Sequence, residues 1–252
     1  MGTTRPMLVL AVVALIGAGC ATAPYDPFKI PRDEFYGKIK TIALTPVGVP
    51  DDLEDAEPVR ATFASLVEAK LRAAGFAAVP AREYAALQKS MAEQVGGLFD
   101  PATGRRDEAK VRTIREYVVR ELNTKFRADA VLYPSIRSVK ATFTQSRAKW
   151  DGASEWLAPG GLGGVLFFAN EHNSGTVGAL SLIVVIRTVQ GPDVYAHAGG
   201  IQVRSRLSGP KLSGVRDFVP VPRSELFVDE KRNAEAVDIA LGSLVRTTAP
   251  PR

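Results

Sequence analysis

The sequence has little of the chemistry on which most enzyme and metal sites depend. It contains one cysteine, Cys20, and two histidines, His172 and His197. The histidines lack the spacing of a zinc motif such as HExxH, and a single cysteine cannot supply the missing ligands. The chain also lacks a Gly-x-Ser-x-Gly elbow, a Walker A loop and a dinucleotide fingerprint. We therefore predict no catalytic residue, no cofactor and no metal site, and a protein that is not an enzyme.

The charged residues show no block of one sign. There are 32 Lys and Arg residues against 27 Asp and Glu residues, which gives a formal net charge of +5. These charges are interspersed along the chain, whereas nucleic-acid-binding proteins concentrate basic residues in a patch or stripe. We therefore expect no nucleic acid among the partners.

The N-terminus has the pattern of a secretory signal that ends in a cysteine. Residues 7–16 form an apolar run behind Arg5, and this run is about half of the ~20 residues that a membrane span needs. Gly17, Ala18, Gly19 and Cys20 resemble a bacterial lipobox, in which the cysteine sulfur takes a diacylglycerol and the cysteine becomes the new N-terminus. Gly17 departs from the usual Leu of that position. The alternative is a plain secretory signal whose cleavage region contains a cysteine.

The lipobox interpretation predicts the segments of the chain and its location in the cell. We predict a signal peptide over residues 1–19, a lipid on Cys20, and a proline-rich extended tether over residues 20–37. Ala21 follows the cysteine where an inner-membrane retention signal has Asp, so we expect a lipid-anchored protein on the periplasmic face of the outer membrane. A lipidated cysteine cannot pair, and the mature protein is therefore expected to have no disulfide. The folded domain is predicted over residues 38–246, with a disordered tail over residues 247–252.

Hydrophobic periodicity predicts strands and helices in alternation. Residues 38–47 and 76–79 read as strands, and apolar residues recur at helical spacing after Pro58 and in residues 84–95 and 108–126. A short strand at residues 130–133 precedes a half-alternating stretch, and residues 177–189 and 194–206 flank a hairpin turn. A last helical region opens at Ser224. We predict a single α/β (α+β) domain with a mixed sheet of about five or six strands and helices packed on it.

One glycine-rich stretch, residues 160–175, breaks these local rules. It contains five glycines, yet Val165, Leu166, Phe167 and Phe168 follow one another in it. One hypothesis is that these four side chains pack into the domain's own core or extend a strand. The other is that they stay exposed until a partner subunit or the bilayer surface covers them, because exposed apolar clusters usually mark contact sites. We name them as the candidate partner-contact loop.

Four segments occur in an order that characterises a known family. They are the lipobox, IKTIALTPV at residues 39–47, LRAAGFAAV at residues 71–79 and KFRADAVLYPSI at residues 125–136, followed by long hairpins and a C-terminal helix. The chain resembles, over roughly residues 38–245, bacterial outer-membrane lipoproteins of the CsgG/LpoB/PelC type, which share a TolB-N-terminal-like α/β fold. The chain departs from some members in two ways. Residues 160–168 are too short to form the membrane-inserting hairpins that some members have. Residues 21–37 span at most ~60 Å, which is shorter than the long tether of other members.

This resemblance implies a non-enzymatic, periplasm-facing outer-membrane lipoprotein. Such a protein would be an accessory or scaffold component of an envelope assembly or secretion system, acting through protein contacts as a single copy or as a homo-oligomer. Its partners would be the membrane, through the lipid on Cys20, and an envelope protein that the sequence does not name. The alternative is a periplasmic lipoprotein that binds a small molecule or glycan, or that hydrolyses one.

Overall fold

A computed structural model of the protein describes residues 25–53, 56–157, 174–189, 191–207 and 217–246. These residues form one mixed α/β domain, which confirms the predicted fold class. The helices are α1 (Arg32–Lys38), α2 (Ala56–Ala73), α3 (Ala81–Gln94), α4 (Glu108–Phe126) and α5 (Glu230–Leu241). The strands are β1 (Thr41–Leu44), β2 (Ala77–Val79), β3 (Ala130–Thr144), β4 (Arg147–Trp150), β5 (Ala153–Trp156), β6 (Ser174–Thr188), β7 (Asp193–Val203), β8 (Ser205–Leu207) and β9 (Phe218–Pro220).

Seven strands form the main sheet, where we expected five or six. β1 pairs in parallel with β2 and β3, and β3 pairs antiparallel with β6, which in turn pairs antiparallel with β7. The β3–β6 ladder is unbroken from the Ala130–Thr188 pair to the Thr144–Ser174 pair. At its far end β3 also pairs with β4, and β4 pairs with β5. β8 and β9 form a separate two-stranded sheet.

The helices form where apolar periodicity predicts them. In α2 the residues Phe63, Val67 and Leu71 recur at spacings of four and are buried, as the sequence pattern predicts. In α4 the side chain of Asp107 accepts hydrogen bonds from the backbone N–H groups of Ala109 and Lys110, which caps the first turn. The predicted helical faces of α2, α3 and α4 therefore pack inward.

The helices cover both faces of one half of the sheet. Apolar residues of α1, α2 and α5 pack on one face, and those of α3 and α4 pack on the other. A third, smaller core lies at the far end of β3, where Phe143, Trp150 and Leu157 pack with Val177 and Val203. We call the part of the sheet between the helices the helix-flanked half, and β4, β5 and the ends of β3 and β6 the distal half.

β3 is longer than the short strand that we predicted at residues 130–133, because it continues through Pro134. The Pro134 carbonyl accepts a hydrogen bond from the Gly48 N–H group, so the Pro134 nitrogen also faces the side away from β6. The missing N–H donor of proline therefore costs the β3–β6 ladder nothing.

The last helix begins at Glu230, later than the predicted opening at Ser224. Residues Arg223–Glu225 form a single 3-10 turn instead. The Asp229 side chain then accepts from the Arg232 N–H group and caps α5. The N-cap Asp229, five residues downstream, thus outcompetes the hydroxyl of Ser224.

The residues just before α1 pack against the sheet. Ala196 of β7 donates its N–H to the Pro27 carbonyl, and the Lys29 N–H donates to the Val194 carbonyl. Phe28 is 8% exposed and lies edge-on to the rings of Phe35 and Tyr195. Phe28 therefore packs on its own domain.

Candidate contact surface

Most of the residues that we predicted as functional lie outside the described ranges. These are Cys20 and the contact-loop residues Val165, Leu166, Phe167 and Phe168; His172, for which we predicted no role, also lies outside them. Within those ranges no helix has the length and apolarity to cross a bilayer, and no three potential metal ligands gather. His197 lies on β7, where its ring contacts the rings of Tyr25 and Tyr195 at centroid distances of 5.5 and 6.5 Å. Its surroundings are aromatic packing partners.

The structure shows where the candidate contact loop is rooted. The chain reaches the loop after Leu157, whose N–H donates to the Ser146 carbonyl at 2.8 Å. It returns at Ser174, which pairs with Thr144 at the far end of β3. Both roots therefore lie in the distal half, next to the β4–β5 hairpin.

The outward face of the distal half is polar, basic and aromatic. Side chains alternate between the two faces of a strand, and along the strand residues 141–144 and 147–150 the buried positions carry alanine, Phe143 or Trp150. The residues between them are exposed and register across three strands as Thr142–Lys149–Ser154 and Thr144–Arg147–Trp156. We call this face, with the exposed Lys140, the distal platform.

Trp156 and Arg147 form the centre of the platform. Trp156 is 45% exposed, and the Arg147 guanidinium carbon lies 5.7 Å from the centroid of its ring. Arg147 Nη2 also donates a hydrogen bond to Ser154 Oγ at 2.9 Å. A shallow hollow of about 370 Å³ lies beside this pair. These contacts fix a large aromatic side chain on the surface, where it is available to a partner.

The platform carries positive charge without a compensating acid. Its charged members are Lys140, Arg147 and Lys149, and none of them forms an ion pair with a residue in the described ranges. Glu155 is the one acidic residue of the β4–β5 hairpin strands, and it points to the opposite, buried side. The electrostatic complement of this face is an acidic surface.

More apolar surface is exposed near the same end. Phe218 of β9 lies edge-on to Phe143 at a centroid distance of 5.6 Å, yet it remains 42% exposed. Its neighbour Val219 is 50% exposed. Exposed apolar side chains therefore lie on β5 of the distal half and on the neighbouring β9, and both strands flank the small core.

Buried polar contacts hold the hairpin beneath the platform against the rest of the sheet. Trp150 Nε1 donates to the Leu180 carbonyl at 3.2 Å, and Ser181 Oγ donates to Asp151 Oδ2 at 2.6 Å. The Glu155 carboxylate, whose side chain is 5% exposed, accepts a hydrogen bond from the Val203 N–H at 2.9 Å and forms an ion pair with Arg232 Nη1 at 2.6 Å. Through these two contacts Glu155 connects β5 to β7 and to α5, and we call it the joint residue.

This arrangement suits binding more than chemistry. Tryptophan and arginine are the residues most enriched among the energetically dominant positions of protein interfaces. The platform has no histidine, no carboxylate and no hydroxyl with an adjacent base. Trp156 and Arg147 were not among the predicted site residues, although Thr142, Thr144, Arg147 and Lys149 alternate with small or apolar residues in the sequence.

No protein-family model and no curated protein matches this sequence. Among solved structures, the chain is similar to the dodecamer of a single-residue variant of PelC from Paraburkholderia phytofirmans. The identity is 11%, the alignment covers 83% of this chain and 91% of that chain, and the TM-score is 0.34. A TM-score of this size does not establish a shared fold, and the family resemblance seen in the sequence stays a prediction.

Proposed function

We propose that the protein is a non-enzymatic lipoprotein, anchored through Cys20 to the periplasmic face of the outer membrane, that binds an envelope protein through its distal half. The observation that carries the proposal is the pairing of a lipobox with the basic, tryptophan-bearing platform. The partner surface that this chemistry selects is acidic and has a pocket for an aromatic side chain.

The short tether supports an orientation close to the membrane. Tyr25 is the first described residue, and its hydroxyl donates to the Ala196 carbonyl on β7 at 2.8 Å. Five peptide links separate it from Cys20, a reach of at most about 18 Å. Tyr25, which contacts β7, therefore lies within that distance of Cys20.

The distal platform lies away from this attachment point. His197, beside Tyr25, pairs with Val184 of β6, and β6 runs ten further residues to Ser174 at the platform. Ten residues of strand span about 33 Å. Anchor and platform are thus separated along the sheet, which leaves the platform accessible to a second protein while the lipid is in the bilayer.

The anchor is tested by Cys20→Ala. This change should abolish lipidation and leave the precursor uncleaved or miscleaved, because the sulfur is the acceptor of the diacylglycerol. Cells fed with radiolabelled palmitate and then fractionated provide the measurement. Label that persists in the Cys20→Ala protein would contradict the lipobox interpretation.

The contact loop is tested by changing Phe167 and Phe168 to Ser together. If these side chains are core, the melting temperature of the purified protein should fall by many degrees, because two buried Phe side chains contribute on the order of 3–6 kcal/mol. If they form a contact, melting should barely change while partner binding is lost. Unchanged melting together with unchanged binding would contradict both hypotheses.

Self-association is tested on the mature protein in a non-ionic detergent. Multi-angle light scattering on the wild type and on Trp156→Ser distinguishes a ring or dimer from a single copy. A homo-oligomer that dissociates in Trp156→Ser would make a second copy the platform's partner. A single copy in both samples would leave a different envelope protein in that role.

A further inference from the structure

A second basic region lies away from the platform, in a cleft between α4 and the β6–β7 hairpin. The cleft has a volume of about 630 Å³, which is in the range of small-ligand sites. Its charged lining residues are Arg115, Glu116 and Arg120 of α4 and Arg187 of β6. Three guanidinium groups against two carboxylates, Glu116 in the lining and Asp193 paired with Arg187, leave the cleft with a net positive charge.

Arg187 and Tyr133 form its ordered floor. Arg187 Nε donates to Asp193 Oδ1 at 2.8 Å, and its guanidinium carbon lies 5.6 Å from the centroid of the Tyr133 ring. These two contacts fix the guanidinium, so little conformational entropy remains to be lost when a ligand binds.

The Tyr133 hydroxyl has no assigned role in the fold. The side chain is half-buried, yet its hydroxyl makes no hydrogen bond to any residue in the described ranges. Burial is the main cause that raises the pKa of Tyr133, so the hydroxyl is protonated at neutral pH and can donate. A partly buried donor without a partner is one that a ligand oxygen can satisfy.

Two further arginines stand at the rim of the cleft. Arg115 and Arg120 are exposed and form no ion pair within the part of the chain that the structure describes. They lie on the α4 side of the cleft, across from Arg187. Their long side chains can therefore close over a group bound on the floor.

We infer that this cleft binds a small oxyanion, a carboxylate or phosphate group, between Arg115, Arg120 and Arg187, with the Tyr133 hydroxyl as a further donor. Guanidinium groups match the planar geometry of such oxyanions and form charge-assisted hydrogen bonds with them. The inference rests on the cleft alone and is independent of the distal platform and of the lipid anchor.

The oxyanion site is tested by calorimetric titration of the mature protein in a non-ionic detergent. The buffer contains neither phosphate nor a carboxylate. Separate arms use inorganic phosphate, acetate, and vesicles of phosphatidylglycerol, which distinguish a free anion from a lipid head group. We expect saturable binding of at least one free anion, weakened about tenfold or more in Arg187→Gln. Tyr133→Phe should weaken binding severalfold and leave the melting temperature unchanged, because the hydroxyl has no partner to lose.

Arg112→Gln is the matched control. Arg112 is an exposed arginine on the same helix, and it does not line the cleft. Its replacement should leave the affinity unchanged. Three outcomes would overturn the inference. They are an equal loss of affinity in Arg112→Gln, unchanged binding in both Arg187→Gln and Tyr133→Phe, and binding to the vesicles without binding of either free anion.

Discussion

The two halves of the paired strands β3 and β6 differ in the number of faces that they bury. In the helix-flanked half, Leu132 faces α1, α2 and α5 while its neighbour Val131 packs toward α3 and α4, and both are buried. In the distal half, Phe143 is buried but its neighbours Thr142 and Thr144 are exposed. The same two strands thus pass from a two-sided to a one-sided environment.

This difference separates the roles of the two halves. A sheet covered on both faces has no surface for a partner, and its side chains are selected for packing. A sheet with one open face can carry side chains that stability does not require, such as Trp156 and Arg147. We therefore expect substitutions in the helix-flanked half to act on folding, and substitutions on the platform to act on binding.

The largest effect is expected where α5 packs on β7. A Cβ atom at Gly199 would lie 1.9 Å from the Ala236 carbonyl oxygen, so the backbones of the helix and the strand would have to separate. Gly199→Ala should lower the free energy of unfolding by about 4 kcal/mol, at the high end of overpacking costs. Urea denaturation measures it.

Gly178→Ala, on β6 near the distal half, is the matched control. Its added Cβ would meet the Arg204 Cβ at 3.7 Å, an ordinary contact. The change should cost less than about 1 kcal/mol. If the two alanine substitutions lower the free energy of unfolding equally, the proposed difference in packing between the two halves is wrong.

The next largest effect concerns the segment that precedes α1. Phe28→Ala removes a buried ring that contacts Phe35 and Tyr195, and it should cost about 3 kcal/mol. Tyr25→Ala, which removes a side chain that is 63% exposed, should cost well under 1 kcal/mol. If thermal melting shows Phe28→Ala to be neutral, these residues are a free tether and do not belong to the helix-flanked half.

A smaller effect is expected at the joint between the halves. Glu155→Gln keeps the shape of the side chain but removes the charge that pairs with Arg232, and it should cost about 2 kcal/mol. Glu34→Gln is the control, because Glu34 makes an exposed ion pair with Lys38 at 2.7 Å, and such pairs are worth less than about 1 kcal/mol. Hydrogen exchange should show faster exchange in β4 and β5 of the Glu155→Gln protein, with β1 unaffected. Uniform loosening of both halves would argue against a local joint.

The helix-flanked half was the more predictable of the two. Its helices carry apolar residues at spacings of three and four, as in Phe63, Val67 and Leu71, and this signal is local in the sequence. The helix α1 was missed because three nearby prolines, at positions 24, 27 and 31, suggested an extended tether. Pro31 instead stands at the N-cap of α1, where a missing N–H donor is tolerated.

The distal half was harder to predict because its geometry depends on long-range pairing. The Thr142–Lys149–Ser154 row becomes a surface only when three strands align in register. The buried role of Glu155 depends on Arg232, 77 positions away in the sequence. No local pattern signals such a partner. The alternation of polar with small or apolar residues along β3 and β4, by contrast, can be read from the sequence and indicates which side chains share a face.

The most direct test of the account is a quantitative comparison of the envelope proteins that co-purify with the wild type and with two variants from crosslinked cells. The platform variant combines Trp156→Ser with Arg147→Ser, and the control is Val228→Ser, a change at a valine that is 68% exposed and lies outside the platform. The account predicts that all variants melt within a few degrees of the wild type, that the control keeps the wild-type partner, and that the platform variant loses it. A platform variant that retains the same partner at the same yield would contradict the central claim.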